Sequence, residues 1–310
     1  MELTSKNILY IEENSLTHQY LSNLLEQLDK HDLSAGFNQY VGKRYPDGPT
    51  ENGEDGIISK IFEEIGTTNK YCVEVGAGDG VKYSTTYDLR ERLGFQALLV
   101  DGFVPVQKGK TSADASEEDI EQALAKSNDK AKFAKAFVTK HNINAIFKEH
   151  NVPKEFDFLS LDIDGNDWWV WKELRYQPRV VMVEYNQYIP GNVDGVITYQ
   201  DDFVITVRDA YNNASIKAFY LLGLEKGYTL VSSFSCNLFF IKNTELSKIT
   251  IGNPYQNNVD LLYLISAYYK DEKNKPTFKS LKKHLVVNER YLEDKRTWTT
   301  AEFILNEEKT

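Results

Sequence analysis

The sequence predicts an α/β protein with a doubly wound, mostly parallel sheet, an antiparallel last strand, and helical extensions at both ends. Short apolar runs alternate with helix-like segments between residues 51 and 245, and such alternation builds a parallel sheet with helices on both faces. A glycine-rich stretch directly follows the first run, at the edge where such sheets bind ligands. The last two runs are joined by a short link, so the final strand should run antiparallel to its neighbour.

The 310-residue chain is long enough for one large domain with extensions. We predict a helical N-terminal extension and loop over residues 1–50, the sheet domain over 51–245, and a helical C-terminal extension over 246–310. Leucines four residues apart predict a helix over 15–30. Residues 41–53 are rich in Gly and Pro and should form a loop, either a mobile cover over the site or a plain surface linker.

Strands and helices of the central domain follow from apolar periodicity and from capping residues. Strands are predicted at 71–75, 95–101, 135–139, 156–163, 179–185, 228–234 and 238–243. Helices are predicted at 54–66, 84–94, 116–127, 143–150, 167–174 and 214–227. Gly66, Gly94 and Gly227 stand at helix ends, where glycine is favoured. Asn142 is a candidate cap for the helix over 143–150.

Composition excludes several classes of protein. The formal net charge is -10, which argues against broad binding to a nucleic-acid backbone. Two distant cysteines, Cys72 and Cys236, do not form a disulfide framework and favour a reducing compartment. We find neither a signal peptide nor an apolar run of membrane-spanning length. We therefore expect a cytoplasmic protein with no membrane contact, and the terminal helices are candidates for a homodimer interface.

The stretch "VEVGAGDG" carries the first site signal. Gly76, Gly78 and Gly80 follow the first strand at every second position, and glycines there let the backbone approach a ligand closely. Position 81 is Val81, so the dinucleotide spacing G-x-G-x-x-G is absent. An acid at the end of the second strand, Asp101, is placed to accept the hydroxyls of a ribose.

The stretches "DIDGND" and "VEYN" carry the second signal, because they end two strands that should be neighbours. Asp162, Asp164, Glu184 and Asn186 would then converge as oxygen ligands of the kind that Mg²⁺ or Mn²⁺ prefers. Some acids of this stretch could instead cap the next helix, and we assign that role to Asp167. Among the adjacent tryptophans, Trp171 is expected in the core, while Trp168 could stack on a ligand at the rim.

These stretches, with "PRVVMVEYN" and "ASIKAFYLLGLEKGYTLVSSFSCNLFFIKN", resemble FkbM-type S-adenosylmethionine-dependent methyltransferases over about residues 50 to 245. The resemblance implies a class I, Rossmann-like sheet and methyl transfer, often to a sugar or glycan hydroxyl. It implies that Glu74, Gly76 and Gly78 hold the cofactor together with Asp101. The full set of expected cofactor residues is Glu74, Gly76, Ala77, Gly78, Asp101, Gly102, Asn142 and Asp162.

We therefore expect an O-methyltransferase that uses S-adenosylmethionine and is assisted by a divalent metal. Asp164 is the first candidate for general base and His141 the second. The residues expected to contact the acceptor are Trp168, Tyr185, Lys43 and Arg44. A metal-dependent glycosyltransferase that binds a nucleotide sugar through Asp162-x-Asp164 is the enzymatic alternative. A non-catalytic binding scaffold is the other alternative.

Overall fold

The computed structural model describes Asn23 and residues 36–40, 50, 53–102, 130–187, 189–205, 212–253, 255–268 and 298–307. Three sequence predictions lie outside these residues. They are the helix over 15–30 apart from Asn23, the helix over 116–127, and most of the loop over 41–53, which includes Lys43 and Arg44.

The described residues form an alternating series of strands and helices. The strands are β1 (Tyr71–Val75), β2 (Gln96–Asp101), β3 (Ala131–Lys135), β4 (Glu155–Leu161), β5 (Gln177–Glu184), β6 (Val196–Ile197), β7 (Tyr228–Phe234), β8 (Asn237–Lys242) and β9 (Trp298–Thr299). The helices are α1 (Asp55–Ile65), α2 (Tyr87–Glu91), α3 (Ile143–Glu149), α4 (Asp167–Glu173), α5 (Ile216–Glu225), α6 (Val259–Tyr268) and α7 (Ala301–Glu307). Short 3-10 helices cover Gly36–Tyr40 and Asn243–Lys248.

A seven-stranded sheet in the order β3-β2-β1-β4-β5-β8-β7 organises the domain. The first five strands of that order pair in parallel. Strand β8 pairs antiparallel with both β5 and β7, because a tight link joins it to β7. The predicted fold class is therefore confirmed. The order reverses between β1 and β4, which is where open α/β sheets bind ligands.

The sheet separates two apolar cores. On β5, Val181 and Val183 face the core beneath α4 and α5, while Val180 and Met182 face the core beneath α1. Alternation along a strand produces this division, since successive side chains point to opposite faces. At the end of β5, a side chain on one face of the sheet lies in the core, and a side chain on the other face reaches the ligand-binding end of the sheet.

A buried ion pair lies near the amino ends of the parallel strands, on the side of the sheet opposite the ligand-binding carboxyl ends. Arg179 Nη1 donates to Asp157 Oδ1 at 2.7 Å, and both side chains are almost wholly buried. Asp157 also accepts from the backbone of Thr68 and Lys70. Buried charges are stable only when paired and hydrogen-bonded in this way. This network fastens the start of β1 to β4 and β5.

Segments beyond residues 51–245 pack on the sheet domain. Asn38 Nδ2 donates to Ser233 O at 2.8 Å, and Asp194 accepts from the first backbone amide of α7, Ala301 N, at 2.9 Å. The domain limits at 50 and 245 stay a prediction. Among the described residues, no helix is long and apolar enough to cross a membrane.

The prediction for the third strand was wrong by four residues, since β3 covers Ala131–Lys135 instead of 135–139. This strand lies at the edge of the sheet and is largely uncovered. An edge strand with little burial leaves weak apolar alternation in the sequence, so the register could not be read from it.

Candidate functional site

Two cavities open at the carboxyl ends of the parallel strands. The first, called here the apolar cavity, measures about 340 Å³ and is walled by side chains that include Val100, Phe137, Val138, Ile163 and Phe203. The second, called here the acidic cavity, measures about 400 Å³. Its wall carries the six carboxylates of Glu54, Glu74, Asp79, Asp162, Asp164 and Glu184. The two cavities share Gly76, Gly78, Asp162 and Asp164, so they meet above the ends of β1 and β4.

The glycine loop after β1 lies directly against the end of β4. A Cβ placed on Gly76 would come within 1.6 Å of Asp162 O, and the Gly76 backbone has φ +85°. The Gly76 and Ala77 amides both donate to Val100 O. Only glycine fits this contact, because any side chain would collide with β4. The loop is thereby held between β2 and β4, at the mouth of both cavities.

Asp101 fixes the same loop from the end of β2. Its Oδ2 accepts a hydrogen bond from Gly78 N at 2.7 Å, and Asp101 and Gly102 both line the apolar cavity. The predicted placement of these residues beside the glycine loop is thus what the structure has. Their role in holding a ligand stays a prediction.

Glu74 serves the loop that follows the glycines. Its buried carboxylate accepts hydrogen bonds from Ser84 Oγ at 2.6 Å, from Thr85 N at 2.8 Å and from Thr86 Oγ1 at 2.5 Å. Both carboxylate oxygens therefore have partners within the protein. Although Glu74 lines the acidic cavity, its clear function is to anchor the entry into α2.

Asn142, predicted to contact adenine, does not line either cavity. Its Nδ2 donates to Phe137 O at 2.8 Å and its Oδ1 accepts from Thr139 N at 2.8 Å. It occupies the cap position of α3 without a capping hydrogen bond, because its amide folds back onto the preceding loop. Asn142 thus holds the loop that presents Phe137 and Val138 to the apolar cavity.

Asn166 lines the apolar cavity and was missed in the sequence. The residue is 3% exposed, and its Nδ2 donates to Gln200 O at 2.7 Å. Its Oδ1 is buried without a hydrogen-bond partner. A buried acceptor without a partner is costly. The position between Gly165 and Asp167 in "DIDGND" was the signal, but only the cavity distinguishes it from a helix cap.

Three of the four predicted metal ligands come together in the acidic cavity. Carboxylate oxygens of Asp162, Asp164 and Glu184 all lie within 4.8 Å of one another. Burial, followed by the charges of the neighbouring aspartates, raises the pKa of Glu184 well above its ordinary value. Like charges this close favour a compensating cation. Asp164 has a left-handed backbone with φ +58°, a conformation that aspartate tolerates better than most residues.

Asn186, the fourth predicted ligand, lies outside this triad. It is buried, its Nδ2 donates to Asn212 O at 3.1 Å, and it does not line the acidic cavity. The chain turns after β5, and the Asn186 backbone amide bonds Ala214 O. The prediction of Asn186 as a metal ligand is corrected accordingly.

Asp167 is fully buried and fastens the loop between β4 and α4. Its oxygens accept from Ile163 N at 2.8 Å and Gly165 N at 2.9 Å. Burial is the main cause that raises its pKa to about 7, and backbone hydrogen bonds from Ile163, Gly165 and its own amide oppose that shift. Asp167 lies in the first turn of α4, after the cap position, and its carboxylate holds the preceding loop, so the prediction that it caps the helix was wrong.

Trp168 and Tyr185, both predicted to contact the acceptor, are core residues. Trp168 is fully buried and its Nε1 donates to Ala218 O at 3.0 Å, because α5 covers this face of α4. Tyr185 is 1% exposed and belongs to the same core. It follows Glu184 on β5, so strand alternation turns it away from the acidic cavity. Trp171 is buried in that core as expected.

His141, predicted as a second general base, is a surface residue. Its side chain is 65% exposed, with Nε2 at 3.6 Å from Asp201 Oδ1, and its ring contacts Tyr199 edge to face. It does not line either cavity. Residues 139–142 fold over the segment that carries Tyr199, and this places His141 on the outer surface.

Glu54 and Asn237 complete the acidic cavity, and sequence reasoning missed both. Asn237 Nδ2 donates to Glu54 Oε1 at 3.0 Å, and both residues are almost wholly buried. Asn237 pairs with Glu184 because β8 begins where β5 ends. An asparagine in a β-hairpin carries no sequence signal of a site.

No protein-family model matches the chain, and no curated protein matches it. Similar solved structures include S-adenosylmethionine-dependent methyltransferases from Aquifex aeolicus (12% identity, 59% of this chain and 88% of that chain, TM-score 0.33) and from Clostridium acetobutylicum (10%, 73% and 99%, 0.36). Another is the mitomycin 7-O-methyltransferase MmcR (12%, 74% and 69%, 0.33). Likeness of this degree assigns no function to this chain.

Proposed function

We propose that this protein transfers a methyl group from S-adenosylmethionine to a hydroxyl of a sugar or other polyhydroxylated acceptor, with a divalent cation beside that hydroxyl. The observation that carries the proposal is the shared border of the two cavities. Methyl transfer is an in-line displacement that needs the donor on one side and the acceptor on the other. Gly76, Gly78, Asp162 and Asp164 form such a border.

The apolar cavity suits the adenosine part of the cofactor. Phe137, Val138, Ile163 and Phe203 supply apolar walls for a flat base. The Asp101 carboxylate at the same cavity suits the ribose hydroxyls. Asn166 Oδ1 lacks a partner and would accept a hydrogen bond from the adenine amino group. Close packing of Phe203 on Gly165, where an added Cβ would lie 2.3 Å from the ring, holds this wall in place.

The acidic cavity suits a cation and an uncharged acceptor. Asp162, Asp164 and Glu184 gather hard oxygen ligands of the kind that Mg²⁺ or Mn²⁺ prefers, within 4.8 Å of one another. When bound, such an ion supplies positive charge that lowers the pKa of an adjacent hydroxyl. The carboxylates of the same wall attract the sulfonium of the cofactor. If Asp164 does not bind the cation, its place at the border of the two cavities lets it accept the proton of the acceptor hydroxyl.

Calorimetry with S-adenosylhomocysteine tests the cofactor site. We expect a dissociation constant on the order of micromolar, and Asp101→Asn should weaken binding about tenfold or more, because a hydrogen bond to a charged group is worth about 1.5–3 kcal/mol. The asparagine keeps an oxygen for Gly78 N, so the loop remains supported. Glu184→Gln should leave this affinity unchanged. If S-adenosylhomocysteine does not bind and UDP- or GDP-sugars raise the unfolding temperature of the protein, the glycosyltransferase is favoured instead.

Manganese titration followed by electron paramagnetic resonance tests the cation site. We expect the wild type to bind Mn²⁺ and Glu184→Gln to lose at least about tenfold in affinity, as loss of one charged ligand should cause. Glu155→Gln, the same substitution at the opposite edge of the sheet, is the control. Methyl transfer to the acceptor should stop in EDTA and return with Mg²⁺ or Mn²⁺. Full activity in EDTA would make the acids direct partners of the acceptor.

A further inference from the structure

Tyr83 presents an exposed aromatic ring at the acidic cavity. The side chain is 57% exposed, and the residue lines the cavity together with Lys82 and Asn237. Large aromatic side chains stabilise a fold mainly through burial. This ring is largely unburied, so its position calls for another explanation.

The backbone at Tyr83 is held in an unfavourable conformation. Its φ is +63°, in the left-handed region that side-chain-bearing residues other than Asn and Asp rarely adopt. Strain of this kind persists only where the surrounding structure enforces it.

Two carboxylates enforce that conformation from either side. Asp79 Oδ1 accepts from Val81 N at 2.9 Å and from Lys82 N at 2.8 Å. Glu74 accepts from the three residues that follow Tyr83, including Ser84 Oγ at 2.6 Å and Thr85 N at 2.8 Å. Tyr83 is thus the residue between two anchored turns, and the anchors hold its backbone at the wall of the acidic cavity. Lys82 Nζ lies 4.7 Å from the ring centroid and further restricts the ring.

The rest of the cavity calls for a ligand with hydrogen-bond donors. Asn237 is 6% exposed, and its Nδ2 is committed to Glu54 Oε1. That bond orients the amide, and its Oδ1 is buried without a partner. A hydroxyl would satisfy this oxygen. The wall has six carboxylates and a single lysine, Lys82, which disfavours an anionic ligand.

We propose that Tyr83 is the stacking platform for a sugar ring of the acceptor, with Asn237 Oδ1 and the wall carboxylates accepting from its hydroxyls. A pyranose suits this combination, since it has an apolar C–H face for the aromatic ring and a rim of hydroxyl donors. An open-chain polyol has the same donors but no face to stack. The inference rests on the proposed function, because it makes the acidic cavity the acceptor side.

Saturation-transfer NMR tests the platform without knowledge of the whole acceptor. The probes are the methyl pyranosides of glucose, galactose and mannose, the corresponding alditols, and N-methylpyridinium as a flat cation, each with S-adenosylhomocysteine present. The variants are Tyr83→Asn, which removes the ring but tolerates the left-handed backbone, and Tyr83→Phe, which keeps the ring. We expect at least one pyranoside to bind better than its alditol, and Tyr83→Asn to weaken it about two- to tenfold. Tyr83→Phe should retain most of the binding.

Several results would overturn the inference. They are equal binding of pyranoside and alditol, unchanged binding in Tyr83→Asn, saturation of N-methylpyridinium alone, or no saturation of any pyranoside. Calorimetry with S-adenosylhomocysteine separates the two proposals: if Tyr83→Asn binds it like the wild type, the cofactor site stands whatever the sugars do. The midpoint temperature of thermal unfolding of Tyr83→Asn should be no lower than that of the wild type, so a loss of binding would not reflect misfolding.

Discussion

Alanine at Gly76 and alanine at Gly78 should have very different effects on stability, although the two glycines are two residues apart. Both have left-handed backbones, with φ +85° and +54°. A Cβ on Gly76 would lie 1.6 Å from Asp162 O and 2.7 Å from Asp162 C, whereas a Cβ on Gly78 would meet nothing within 4 Å. The obstacle at Gly76 is backbone at the end of β4, which cannot rotate away as a side chain can.

The magnitudes follow from these contacts. A left-handed alanine costs about 1–2 kcal/mol, and loss of glycine's freedom in the unfolded chain returns about 0.4–1 kcal/mol. Gly78→Ala should therefore lose about 1 kcal/mol. Gly76→Ala adds the cost of overpacking, about 1–3 kcal/mol or more, so its loss should be about 2–4 kcal/mol or more. That is a large part of the 5–15 kcal/mol typical of a domain.

Urea unfolding followed by tryptophan fluorescence measures both losses, and calorimetry with S-adenosylhomocysteine measures the site. Gly78→Ala should fold yet bind less tightly, because Gly78 lines both cavities and its new methyl group occupies open space there. Equal losses of stability for the two variants would refute the argument. A Gly76→Ala protein as stable as the wild type would show that β4 can yield at Asp162.

Two further predictions concern Asn166 and Lys226. The wild type should bind S-adenosylhomocysteine about tenfold tighter than S-inosylhomocysteine, which lacks the 6-amino group. Asn166→Ala should lose this preference, because the oxygen that accepts from the amino group is gone. Calorimetry measures both affinities, and a preference that survives in Asn166→Ala would show that Asn166 does not contact the adenine. Burial lowers the pKa of Lys226 to about 8 from 10.5. Between these two pH values the Lys226 amine is therefore mostly protonated in the unfolded chain and mostly neutral in the folded protein. The free energy of unfolding of the wild type, relative to Lys226→Met, should rise by on the order of 3 kcal/mol from pH 8 to 10.5. Urea unfolding at several pH values measures this, and a flat difference would contradict it.

Local sequence was enough to predict the sheet and much of the candidate site. Strand ends and glycine turns are written in consecutive residues, and parallel strands bring their carboxyl ends to one edge. Asp101 beside the glycine loop, and Asp162 and Asp164 near Glu184, follow from that rule. The reversed last strand follows from the short link between β7 and β8. These features need only the order of elements.

The direction in which a side chain points was decided by the tertiary packing. Trp168 begins α4 beside the site, yet α5 covers it and takes its hydrogen bond. Glu184 ends β5 and Tyr185 follows it directly, and the alternation of the chain sends Tyr185 to the core and Glu184 to the cavity. The pattern of residues shows that two such side chains diverge, but the packing of helices on the sheet decides which face is the site.

Contacts between distant segments were beyond the sequence altogether. Glu54 and Asn237 are 183 residues apart, and they meet because β8 begins next to the end of β5 while α1 begins above it. Asn166 looks like a helix cap until the segment around Gln200 takes its amide. The sequence alone thus determined which strands end in acids and glycines, since those are local choices of backbone and charge. Only the tertiary structure decided which polar groups complete the cavities, because a polar group without a partner becomes visible only once its surroundings are folded around it.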